Sequence, residues 1–351
     1  MKQIILWIVL FFPTSLFFSC GSVKSIEVET CNPATVTFPP EVRTLMIVNN
    51  SAQQPDGVGH RYIRGEKEDA TVAVPVDSVA YDFCLGLGKI IAESPVFYDV
   101  RICEDTLRRD SVFYDKRPFS AGEVEELCES YGVDGLISLD KMYFLTEVFD
   151  TGPDDRSDGF INIQIIGELR ALWPNQEAVY TFPFSDSLKW YWSDQVVYAE
   201  DFIEMTDKPD VKDAMRYLSE EIGRKMQMNF VPHWAFDNRW YYTDVSSEWK
   251  RGTVYANVGR WEEASGIWES LLLKTGRWKS KARLLSNLAL CNEMAGDFNK
   301  AVDYAEKSAR LFEKNAGKDS DYTKLQAKYV EALKERAKND LLLSKQLREN
   351  K

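Results

Sequence analysis

Two short segments of the chain echo each other: Gly259-Arg-Trp-Glu-Glu-Ala264 and Gly296-Asp-Phe-Asn-Lys-Ala301, with Ala264 and Ala301 lying 37 residues apart. A period of that size means one supersecondary unit used twice, neither copy able to bury its apolar face alone. From Ser246 onward apolar residues recur at helical spacing, β-branched residues thin out and short breaks recur, which predicts helices joined by tight turns. The first copy places Gly252, Tyr255, Gly259, Trp261, Ala264 and Trp268; the second answers with Leu288, Ala289, Gly296, Phe298 and Ala301. Asn292 stands where the first copy has Tyr255, and Ala305 where it has Trp268. Gly252, Ala264, Ala289 and Ala301 are small enough to let paired helices approach, Gly259 and Gly296 turn the chain, and Trp261 and Phe298 wedge between helices. A last helix is expected from about Asp321 towards Leu347, with Tyr322, Leu325, Tyr329 and Leu333 on one stripe and Lys324, Lys328, Lys334 and Lys338 on a solvated face.

This pattern resembles the tetratricopeptide repeat. The resemblance implies helical hairpins stacked on one another, with an inner surface suited to a peptide or a helix. A generic pair of helical hairpins is the plainer reading of the same residues.

Upstream the texture is mixed. Thr44–Asn49 reads as a buried first strand. Val79, Ala80, Phe83, Leu87, Ile90 and Ile91 mark a helix, with Asp77 as its expected cap. Tyr98–Ile102 is a second strand, Ser120-Ala-Gly-Glu123 a capping box that opens a helix stopped at Gly132, and Asp134–Leu139 a third strand. Phe160–Trp173 alternates apolar and polar and is expected as a long antiparallel strand, followed by strands at Glu177–Phe184 and Ser187–Trp192. Val211, Ala214, Met215, Leu218, Ile222 and Met226 form an amphipathic helix that should lie across the sheet. Asn50–Val74 is polar and glycine-rich, expected as a long loop and a second contact surface. The fold class is therefore α+β: a mixed-sheet α/β domain followed by an all-α, tetratricopeptide-like domain of helical hairpins. By topology and spacing, Val42 to Phe230 resembles the small α/β domains of envelope lipoproteins of the curli-secretion and penicillin-binding-protein-activator kind.

The N-terminus gives an address. Lys2 precedes the apolar run Ile4–Phe12, too short to span a bilayer as a helix, and Leu16-Phe17-Phe18-Ser19-Cys20-Gly21 resembles a bacterial lipobox. The expected organisation is a signal peptide at residues 1–19, a lipidated tether at 20–40, the α/β domain at 41–236, an aromatic joint at 237–245 and the helical domain at 246–351. Cys20 is the expected lipidated residue, binding the chain to the lipid bilayer. Gly21-Ser-Val-Lys24 lacks an acidic run, which favours the periplasmic face of the outer membrane over the cell surface. Together with the strand near Val48, the Pro232–Trp234 and Arg239–Tyr242 segments and the repeat-like tail, this layout resembles a family of Bacteroidota lipoproteins of unknown function. That resemblance implies a location and an architecture and brings no activity.

A net charge of −12 argues against nucleic acid as a partner. Cys31, Cys84, Cys103, Cys128 and Cys291 show no CxxC spacing and read as small buried hydrophobes, with one pair such as Cys84–Cys103 left open. The chain has two histidines: His233 sits in an aromatic segment and reads as structural, and His60 reads as a loop residue. Asp150-Thr-Gly152 lacks the second copy an aspartic protease needs. In the acidic run Asp154, Asp155 and Asp158, Arg156 takes a ligand place and Ile165 stands where an EF-hand puts its glutamate. Gly86-Leu-Gly-Lys89 lacks phosphate-loop spacing. No catalytic residue, metal site or cofactor is expected. The function expected is a non-enzymatic scaffold that binds an envelope protein through its helices and the aromatic joint, which includes Trp240 and Tyr241. Two alternatives stand beside it. One is glycan binding by exposed aromatics, Trp190 and Trp192 foremost; the other is an enzyme of unrecognised type.

Overall fold

The computed structural model describes residues 23–64, 67–69, 78–108, 110, 112–151, 158–192, 203–205 and 210–347. Cys20, the signal segment, Asp77 and the acidic run at 154–156 lie outside them. Ten strands follow in chain order: β1 Val23–Asn32, β2 Thr44–Asn49, β3 His60–Arg64, β4 Lys67–Asp69, β5 Asp99–Thr106, β6 Gly135–Asp150, β7 Gly159–Leu172, β8 Tyr180–Trp192, β9 Ile203–Met205 and β10 His233–Tyr242. The helices are α1 Val79–Ala92, α2 Ala121–Tyr131, α3 Val211–Met226, α4 Ser247–Asn257, α5 Trp261–Lys274, α6 Trp278–Met294, α7 Phe298–Ala316 and α8 Asp321–Gln346. The chain divides into two compact units. One takes Cys31–Ala235 with Asn339–Lys351, the other Met1–Thr30 with Phe236–Lys338. The fold is α+β, a mixed sheet with helices followed by a run of helices.

In the sheet unit β2 lies between β5 and β6, parallel to both. β6, β7 and β8 then form an antiparallel meander. Ile161, Ile163 and Ile165 alternate with polar Asn162 and Gln164 along β7, so one face is core, with α1 and α3 packed in the same apolar cluster. Those two helices approach closely. A β-carbon on Gly86 would stand 2.5 Å from the Glu220 carbonyl oxygen, and one on Gly223 2.3 Å from that of Phe83. The Gly86-Leu-Gly-Lys89 run is thus a packing surface. α2 is opened by the expected box, Ser120 and Glu123 each bonding the other's backbone.

Several boundaries differ from expectation. β6 runs well past Leu139, and Glu177–Phe184 with Ser187–Trp192 is one strand, β8, unbroken at Pro183. Proline is tolerated because, at that position, the side of β8 away from β7 has no partner among the described residues. The Asn50–Val74 segment contains β3 and β4, and β3 adds to β6 in parallel. α1 is preceded by Ser78, whose side chain makes no cap bond. Cys84 and Cys103 are unbonded and sit in different apolar clusters. The largest change is at residues 20–40. Val23–Asn32 is not slack but a strand, β1, paired with β10. Beyond it Val36, Phe38 and Val42 enter the core of the sheet unit, and Gln346 grips Ala34 through both backbone groups at 2.8 and 2.9 Å. A strand whose partner lies some two hundred residues away leaves no local signal in sequence. Likewise residues 237–245 are mostly the second half of β10, not a separate joint.

Candidate functional site

The helical unit carries the surface that the repeat pattern points to. Gly252 is required by Trp268, since a β-carbon there would meet the indole at 2.5 Å. Ala264, Trp268, Leu288, Ala289 and Ala301 are fully buried, and Gly259 and Gly296 turn the chain at φ +73° and +75°. Tyr255 and Trp261 pack half-buried on the same core. Phe298 lies at the start of α7 with the Arg336 guanidinium over its ring. Gly252, Ala264, Trp268, Leu288, Ala289 and Ala301 are thus packed positions of this unit.

The second half of β10 packs on these helices, which hold the backbone of its last residue, Tyr242. Asn287 of α6 accepts from the Tyr242 N–H at 2.7 Å and donates to the Tyr242 carbonyl at 2.8 Å, and Trp249 of α4 donates its indole N–H to that same carbonyl at 2.8 Å. The side-chain amide acts here as one rung of a neighbouring strand. The side chains of β10 fill the remaining space. Tyr241 donates to Asn257 of α4 and lies against the Trp268 ring, Tyr242 packs on Phe312, and Trp240 packs on Tyr329. Trp240 and Tyr241 are therefore parts of this unit's own core. Burial pushes the Tyr242 hydroxyl up to about 12.

One buried charge cluster locks the arrangement. Glu293 of α6, with its side chain fully buried, receives Arg239 of β10 at 2.9 Å, Arg336 of α8 at 2.7 Å and the Tyr329 hydroxyl at 2.9 Å. Burial works against the Arg239 charge, but Glu293 outweighs it by charge and hydrogen bond and holds the guanidinium above its ordinary range. Burial, reinforced by the Glu293 charge, raises the Tyr329 phenol well above its usual value. Asn287, Glu293 and Arg239 do most to fix β10 here, and of these only Arg239 falls in a segment that the sequence singles out. A glutamate at a small-residue helix face reads as solvated until the arginines that meet it are placed.

The expected glycan platform does not form. Trp190 and Trp192 are 8% and 3% exposed on the core face of β8. Tyr191, between them, points to the opposite face beside Phe160, whose ring is stacked with Phe149 at 5.4 Å and covered by the Lys189 ammonium at 4.2 Å. A cavity of about 440 Å³ opens where β2 and β5 end, lined by Asn49, Ser51, Gln54, Thr106, Arg108 and Phe144. Its polar walls bond one another. Asn49 holds Ser51 and Thr106, Gln54 clamps both backbone groups of Phe144, and Arg108 binds Asp110 and the carbonyls of Val112 and Asp115. His60 is buried beside Gln54, and desolvation lowers its pKa against the pull of the Asp56 charge. Asp150 is buried and accepts from Tyr62. Among the described residues no cluster of His, Cys, Asp or Glu could hold a metal ion.

Residues 42–242 match the family model described as Domain of unknown function (DUF8603), and residues 250–335 match Domain of unknown function (DUF6340). The first match covers more than half of the chain, which belongs to that family. The two matches divide close to where the chain leaves β10 and enters α4. No curated protein matches. Among solved structures, the PelC dodecamer from Paraburkholderia phytofirmans is similar over 59% of this chain and 97% of that one, at 8% identity and a TM-score of 0.23. An uncharacterized protein is similar over 56% and 95%, at 13% identity and a TM-score of 0.22. Scores that low carry no argument about fold or assembly.

Proposed function

We propose that this chain is a lipid-anchored protein of the bacterial cell envelope, of the Bacteroidota lipoprotein type, that works by binding another envelope protein and not by catalysis. The observation that carries the reading is the grip of α4 and α6 on the main chain of β10. A helical array that holds an extended strand through backbone groups is built for polypeptide recognition. Its inner face is filled by the chain's own strand, so a partner meets what stays open. Val254 of α4 and Val258, the residue just past its end, are 60% and 66% exposed, and Arg251 lies one turn before Val254. Such a basic, apolar stripe suits an acidic, apolar segment of a partner. Among the described residues no helix is long and apolar enough to cross a membrane. Attachment is assigned to Cys20, and the periplasmic face of the outer membrane follows from the residues after it.

The test places a photo-crosslinking residue at Val254 or Val258, and at buried Trp268 as control, in cells that express the full chain. One protein adduct common to both open positions and missing from the control is the expected result. Absence of that adduct, or specific retention of the chain on a polysaccharide column, overturns the reading. Palmitate-analogue labelling should mark the wild-type chain and spare Cys20→Ser; equal labelling removes the anchor.

A further inference from the structure

Along the β1–β10 ribbon exposed residues alternate with more buried ones, so one side is open among the described residues. Trp234 and Phe236 stand two residues apart on β10, hence on one side of the strand, and are 69% and 72% exposed. On β1, Glu27 and Glu29 are exposed while Val28 and Thr30 are buried, so the two carboxylates face outward. Ser25 donates to the Arg239 carbonyl at 3.4 Å and Thr30 to the Asp237 carboxylate at 3.2 Å, which sets the two strands side by side.

β1 begins at Val23, three residues after Cys20. Three extended residues span about 10 Å. After β1 the chain is held within the sheet unit, where Gln346 bonds Ala34 and the Val36 N–H donates to the Asn229 carbonyl at 2.9 Å. A lipid on Cys20 would therefore keep the start of the ribbon at the bilayer surface. Exposed tryptophan and phenylalanine are the side chains that settle at the level of lipid headgroups. Glu27 and Glu29 are repelled by an anionic surface and can pair with the ammonium groups of zwitterionic phospholipid.

We propose that the outward side of the ribbon rests on a zwitterionic bilayer, with Trp234 and Phe236 at headgroup depth. The orientation rests on the reading of Cys20 as the anchor. The test uses the chain from Gly21 with a hexahistidine tag in place of residues 1–20, held by nickel-chelating lipid on vesicles of phosphatidylethanolamine and brominated phosphatidylcholine. This tether works whether or not cells acylate Cys20. Bromine should quench the tryptophan fluorescence, and Trp234→Phe should lose more than half of that quenching while Trp278→Phe keeps it. Phe236→Ser should reduce it about twofold, and exchanging a third of the lipid for phosphatidylglycerol should do the same. Equal quenching in wild type and Trp234→Phe, or none in either, overturns the proposal. Quenching carried by Trp234 in a chain that cells do not label with palmitate leaves the face standing and removes the anchor.

Discussion

The two units of this chain solve the same problem in different ways. The sheet unit builds its core from contiguous apolar runs, β2 and the alternating β7 among them, against the stripes of α1 and α3. Its buried Asp140, inside β6, is paired with Arg170 at 2.9 Å. The helical unit packs Trp249, Trp268, Leu288 and Phe312 of its helices against Tyr241 and Tyr242. It imports β10 and, at the centre, tolerates a glutamate between two arginines. A short array of hairpins needs something to cover its inner side, and here an extended strand from the same chain does so. The helices could be anticipated from their repeat; what they hold could not.

That contrast can be broken most forcefully at Glu293. Glu293→Ala takes this carboxylate from Arg336 and leaves Arg239 with only the half-exposed Asp237 carboxylate at 3.2 Å; removing one partner of a buried pair costs about 3–5 kcal/mol. Denaturant titration should show the helical unit melting first, with the sheet unit unchanged. A loss below about 1 kcal/mol would mean that the cluster is hydrated and that β10 is not locked by it.

The next largest effect compares the units directly, because each uses a side-chain amide as a surrogate strand. Asn287→Leu strips the Tyr242 N–H of its partner, and Gln54→Leu does the same to Phe144. A buried donor left unmade costs about 1–3 kcal/mol. Both variants should lose comparable stability by the same titration, and hydrogen exchange should speed up at Tyr242 in one and at Phe144 in the other. If only one does so, the clamp is structural in one unit and incidental in the other.

Gly252→Val tests the packing that the repeat did announce. Two methyl groups would be forced into the Trp268 indole, and overpacking of this kind costs about 1–3 kcal/mol. Thermal melts of Gly252→Val and Gly266→Val make the comparison, since nothing stands within 4 Å of a β-carbon at Gly266. Equal melting of the two would sink the close-packed pair of α4 and α5.

What could be read beforehand follows from how local each signal is. The α2 capping box lies within four residues, the α3 stripe within sixteen, and the turns at Gly259 and Gly296 need only a positive φ. β1 pairs with a strand two hundred positions on, so Val23–Asn32 passed for a tether. Trp190 and Trp192 could be placed on one face but not on which one, because a strand's period of two does not say which side is covered. Asn287, Gln54 and Gln346 each clamp one residue's backbone, and nothing in a lone amide announces its target.

The smallest expected effect separates the units by acid. His60 lies in the sheet unit and is 1% exposed; burial lowers its pKa from the ordinary 6.5, while Asp56 pulls the other way. The folded state thus keeps the imidazole neutral where the unfolded chain takes up a proton. More protons on the unfolded chain means stability that rises with pH. The contribution is complete above about pH 6.5 and is lost as pH falls from there towards the lowered folded value. The other histidine, His233, is shifted the same way, by burial against a hydrogen bond to the Val231 backbone, but lies at the start of β10. Titrating stability between pH 7.5 and 5 in wild type, His60→Gln and His233→Gln should show a downward slope that His60→Gln reduces for the sheet unit. A slope untouched by His60→Gln would assign the acid sensitivity to carboxylates. The buried Asp140, which burial raises against its bonds from Asn50 and Ser138, would then oppose the loss, since a carboxyl held above its ordinary range favours the folded state as pH falls.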